Sequence, residues 1–139
     1  MTMEERVHEL EQLRYLRKEV DMLSQRLAEL ERAARGGVGR ITGMPNAVRS
    51  IQPAKDYALK IIEVSNRLEA RRERCMALLG EIYAFIDDID DSLIRQIFTL
   101  RYIDGMTWLA MSTKIGCMDE SNLRKLHNKY LREREKMGA

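Results

Sequence analysis

The sequence predicts an all-α protein: a long antiparallel helical hairpin of coiled-coil type, followed by a C-terminal helix-turn-helix domain. Three observations carry this. Apolar residues recur at 3-4 spacing over two long stretches, a glycine- and proline-containing segment separates them, and residues 90–139 break into short pieces with helix-cap signals. Of 139 residues, 33% are charged and only 6% aromatic, a balance suited to solvated helices rather than to a dense core around a large catalytic cleft.

Residues 1–34 form the first coiled-coil helix. Leu13, Leu16, Val20, Leu23, Leu27, Leu30 and Ala34 alternate by three and four positions, which draws one narrow seam along a helix. The run ARGGVGRITGMPNAVRSIQP then holds four glycines and two prolines, so residues 35–53 read as a linker. Its glycines do not make a phosphate loop, because GxxxxGK[ST] is missing and no strand precedes it. The seam resumes over residues 54–89 at Ala58, Ile61, Ser65, Leu68, Arg72, Cys75, Leu79, Ile82, Ile86 and Ile89.

At a rise of roughly 1.5 Å per residue, the two helices each extend about 45–50 Å, matched for antiparallel packing. A two-helix hairpin leaves its seam half covered, and burying each Leu or Ile is worth about 1.5–3 kcal/mol. A homodimer or higher homo-oligomer is therefore expected, held by Leu13, Leu16, Val20, Leu23, Leu27, Leu30, Ile61, Leu68, Leu79 and Ile82.

The second helix runs out in DDIDDS at 87–92. A calcium loop starting at Asp87 would place Ser92 and Phe98 where an EF-hand needs Gly and Glu, so Asp90, Asp91 or Ser92 is read as the cap of the next helix. His8 and His127 stand in separate helices and no Ser/His/Asp or Cys/His constellation forms, so neither catalysis, a metal nor a cofactor is indicated. Cys75 and Cys117 lack CxxC spacing and read as buried, reduced thiols. MTMEERVHELEQ is charged from its fourth residue, and no stretch is apolar enough to span a bilayer, which points to a cytoplasmic protein without membrane partners.

The net charge of +2 carries no argument for a polyanion, so any such case rests on local distribution. In SLIRQIFTLRY, Leu93, Ile94, Ile97, Phe98 and Leu100 share one side, and Asp104-Gly105 stops the helix. Thr107 caps WLAMSTKI, whose Leu109, Met111 and Ile115 point inward, and Gly116 turns the chain. A last helix begins near Asp119 and buries Leu123, Leu126 and Tyr130. Opposite these lie Ser121, Lys125, Asn128 and Arg132, flanked by Asn122, Arg124 and Lys129. No acidic residue occurs from Ser121 to Arg132, and amide, hydroxyl and basic side chains are those that meet base edges and phosphates of double-stranded DNA.

LRYIDGMTWLAMSTKIG followed by a polar helix resembles region 4 of sigma-70-type factors. The order of parts, including TGMP at 42–45, is similar to a family of small phage proteins from Gram-positive hosts related to late-gene transcriptional activators of the ArpU and RinA type. The resemblance implies a sequence-specific DNA-binding activator in a host bacterial cytoplasm, with contact to host RNA polymerase and no catalysis. The chain departs from the sigma pattern at GCMDESNL, where Leu123 follows Gly116 by seven residues rather than the usual six. Two other readings stay open: a DNA-packaging component of small-terminase type, and a helical adaptor whose basic helix meets an acidic protein.

Overall fold

A computed structural model describes the backbone at residues 1–39 and 47–138, with side chains described outside 37–54. The described residues contain no strand. Helix α1 is Met3–Gly39, α2 is Ala47–Asp87 and α3 is Ser92–Phe98, which passes directly into a π-helical turn, Thr99–Ile103; α4 is Trp108–Ile115 and α5 is Glu120–Gly138. Helical backbone thus enters both ends of the stretch 35–53 expected to be a linker, and residues 40–46 lie outside the described residues. Glycine costs about 1 kcal/mol relative to alanine in a helix but removes no hydrogen bond, so Gly36 and Gly37 lie within α1 without stopping it.

The chain divides into two compact units: a two-helix unit, Leu16–Arg74, and a discontinuous unit made of Met1–Tyr15 with Cys75–Ala139. In the two-helix unit Leu16, Val20, Leu23, Leu27 and Leu30 of α1 are half-buried, while on α2 Val64 and Leu68 are buried and Ile61 half-buried. The Arg71 Nε–H donates to Glu19 Oε2 at 3.0 Å, joining the helices by a half-exposed ion pair. Such a pair is worth roughly 0–1 kcal/mol, and its role in a seam is to fix register.

Arg71 also reveals the phase of α2. Its inner face is Ile61, Val64, Leu68, Arg71, Cys75, Leu78, Ile82, Phe85 and, just past the helix end, Ile89, an unbroken 3-4 alternation of buried or half-buried positions. Ala58 and Arg72, expected in the seam, are exposed, and Leu78 rather than Leu79 is the fully buried member of its pair. The doublets Arg71-Arg72, Leu78-Leu79 and Phe85-Ile86 fit either phase.

In the discontinuous unit the start of α1 lies against the end of α2, as antiparallel pairing requires: Leu10 and Leu13 are buried and the Arg6 guanidinium sits 5.1 Å from the Phe85 ring centre. Asp91 caps α3, its carboxylate accepting the N–H groups of Leu93 and Ile94 at 2.8 and 3.2 Å, so the acidic run serves a helix start. Arg95 closes the same corner by donating to the carbonyls of Ile89 and Asp90. The π-helical turn rotates Tyr102 and Ile103 inward together, a geometry outside a 3.6-residue period.

Candidate nucleic-acid interface

One residue from each of three helices forms the centre that orients α5. Ile97 of α3, Met111 of α4 and Leu123 of α5 are fully buried against one another, with Leu93, Ile94, Leu100, Met106, Trp108, Ile115, Met118 and Leu126 packed around them. Leu109 departs from expectation: it is 66% exposed, and Trp108, its neighbour, takes the core side of α4.

The connection between α4 and α5 is set by three local devices. Thr107 Oγ1 accepts the Ala110 N–H at 3.1 Å and starts α4. Gly116 ends it at φ 81°, where an added Cβ would meet no neighbour, so the backbone conformation rather than space requires glycine. Asp119 Oδ1 accepts the Asn122 N–H at 2.8 Å and starts α5.

The buried stripe of α5 is Leu123, His127 and Leu131, with Leu126 and Tyr130 half-buried beside it. Sequence reasoning missed His127, although its i+4 spacing from Leu123 and to Leu131 was the available signal. Its ring stacks on Phe98 at 4.9 Å and meets Trp108 edge-on at 5.2 Å. Asn128 Oδ1 can only accept, so His127 Nδ1 carries the hydrogen donated to it at 2.9 Å, and Nε2 accepts the Tyr102 hydroxyl hydrogen at 2.6 Å. Burial pushes the His127 pKa down and the Tyr102 pKa up, so both are neutral at pH 7.

This arrangement has a pH signature. Because the folded-state pKa of His127 lies below its unfolded value, its stabilising contribution is complete above about pH 6.5 and is lost as pH falls below that value, where the unfolded chain takes up the proton first. His127→Gln is expected to flatten the fall in urea stability between pH 7.5 and 5. Equal slopes for parent and variant would show that His127 does not contribute to it.

Of the residues expected to meet DNA, Ser121, Asn122, Arg124, Lys125, Lys129 and Arg132 are exposed, and all lie on α5. Asn128 is half-buried, and its carbonyl oxygen accepts from His127, which leaves its amide N–H groups and one lone pair for any other partner. The Arg124 guanidinium stands 5.7 Å from the Trp108 ring centre. Arg101 is 5.0 Å from the same ring and donates to the Met106 carbonyl at 2.9 Å. Stacking of this kind holds an exposed guanidinium in place before any ligand arrives.

The second half of α5 is tied down by charges. Arg134 donates to Asp88 at 3.1 Å and to the Tyr130 hydroxyl at 3.0 Å, with its guanidinium 4.5 Å from the Phe85 ring centre. Glu135 Oε2 accepts the Met3 N–H at 3.0 Å, capping the first turn of α1. A cavity of about 580 Å³ beside these contacts is lined by Asp88, Asp90, Asp91, Glu133 and Glu135 together with Arg6 and Arg134, and by none of the expected DNA-facing residues. Its acidic rim disfavours a polyanion.

All of the residues expected to join copies except Leu79 lie on the inner faces of α1 and α2. Leu13, Leu68 and Ile82 are buried within one chain; Leu16, Val20, Leu23, Leu27, Leu30, Ile61 and Leu79 are half-buried. Cys117 is exposed in the turn before α5 and Cys75 half-buried, both free, so neither is the fully buried thiol expected. No helix among the described residues is long and apolar enough to cross a membrane. Comparison with protein-family models, curated proteins and solved structures gave no match.

Proposed function

We propose that the chain is a sequence-specific regulator of transcription that binds double-stranded DNA through α5, as a homodimer or higher homo-oligomer. The observation that carries this reading is the exposed face of α5. Asn122, Lys125, Lys129 and Arg132 project from a helix whose opposite side is locked by Leu123, His127 and Leu131, and no carboxylate interrupts the segment from Ser121 to Arg132. The α4–turn–α5 arrangement, with its capped helices and left-handed Gly116, is the kind of helix pair that presents its second member to a major groove. Arg124, stacked on Trp108, flanks that face. The narrower assignment, a phage late-gene activator that contacts host RNA polymerase, rests on the resemblance of LRYIDGMTWLAMSTKIG to sigma region 4 and on the order of parts.

Position along α5 separates two kinds of contact. Asn122 and Lys125 lie in the first turns, the part of a reading helix that meets base edges, whereas Lys129 and Arg132 fall later, towards phosphate. Asn122→Ala is expected to lose about 1–3 kcal/mol on the preferred duplex, selected from a random pool, with little change on unselected duplex. Unchanged affinity for both duplexes, with helicity retained, would remove Asn122 from base reading. A chain that enriches no duplex and binds an acidic protein instead would replace the whole reading with the adaptor.

A further inference from the structure

The two-helix unit leaves two large apolar side chains uncovered on α2: Leu59 and Ile62 are each 57% exposed. At 100° per residue, Lys55, Leu59, Ile62, Asn66 and Glu69 fall within a strip about 80° wide, and all five are exposed. The strip is self-complementary. Ile62 is its midpoint, Lys55 stands two turns towards the N-terminus and Glu69 two turns towards the C-terminus. Neither Lys55 nor Glu69 has an ion-pair partner among the described residues.

A second copy laid antiparallel on this strip brings each Lys55 opposite a Glu69, while a parallel copy would oppose Lys55 to Lys55 and Glu69 to Glu69. We propose that two copies of the chain pair antiparallel along this strip, with Ile62 against Ile62 at the two-fold axis and Leu59 covered beside it. The inner-face leucines then hold each hairpin together, and the outer strip joins the hairpins. This names the surface behind the oligomer proposed above and rests on that part of the reading, but not on DNA binding.

Cross-linking tests it in the full chain with Cys75→Ser and Cys117→Ser. Ile62→Cys in this background is expected to give a covalent dimer as the main species on oxidation, because a residue on the axis meets its own copy. Lys55→Cys is expected to stay monomeric on the same gel, its two copies being about 21 Å apart. By sedimentation, Lys55→Glu is expected to weaken the dimer about tenfold, and Lys55→Glu with Glu69→Lys to restore it to within about threefold. Met22→Lys, at an exposed position on α1, is expected to leave it unchanged. A parent chain that sediments as a monomer overturns both the oligomer and this surface. A parent dimer that ignores Ile62→Cys and Lys55→Glu overturns the surface alone.

Discussion

Phe98→Ala is expected to lower stability by about 3–5 kcal/mol, the largest loss any single truncation in the terminal helices should give. Phe98 is fully buried at the end of α3, and its ring lies 4.9–5.7 Å from those of His127, Tyr102, Tyr130 and Phe85. Those partners come from α2, the π-helical turn and α5, so one deletion opens a cavity touching several elements at once. Packing is too dense there for a single side chain to refill it. Urea denaturation of the full chain reads the effect, with Leu109→Ala as comparison. Leu109 is 66% exposed, and its truncation is expected to change stability by no more than about 0.5 kcal/mol. Similar losses for both variants would mean that the aromatic cluster is not the centre of this unit.

The second large effect concerns salt. Lys129→Ala with Arg132→Ala is expected to weaken preferred and unselected duplexes alike and to lower the slope of log K against log salt by about 1.8, the value for two lost phosphate contacts. Both side chains are exposed, so the fold should not register the change. Parent and variant affinities should converge as salt rises, because the counterions that the parent releases carry most of the difference. An unchanged slope with retained helicity would show that the phosphates are held elsewhere.

Local devices were legible in the sequence, and pairings between distant residues were not. Thr107, Gly116 and Asp119 were readable, and Asp91 as one of three candidates with Asp90 and Ser92, because a cap acts over three or four residues and leaves its chemical type in the sequence. The three-helix core was likewise visible in the spacing of Ile97, Met111 and Leu123. The phase of α2 was not, since the neighbours Arg71-Arg72, Leu78-Leu79 and Phe85-Ile86 fit either phase, and only Glu19 opposite Arg71 decides between the two arginines. His127 was hidden for a similar reason: a polar ring in a core is satisfied by Tyr102, which lies twenty-five residues away and is turned inward by a π-helical turn. Of the seven residues expected at the candidate interface six are exposed, and the half-buried Asn128 accepts from the histidine that periodicity overlooked.

The discontinuous unit also sets a timetable for synthesis. Met1–Tyr15 leaves the ribosome before Cys75–Ala139, the residues that share its unit. At about 5–20 residues per second, the opening segment waits several seconds or more for them. Throughout that interval Leu10 and Leu13 have no completed core to enter, and the first turn of α1 has no Glu135 carboxylate to hold it. Helix α5, made later, thus completes a unit that α1 begins, and a chain interrupted before α5 leaves the apolar side of Leu10 and Leu13 without its full cover.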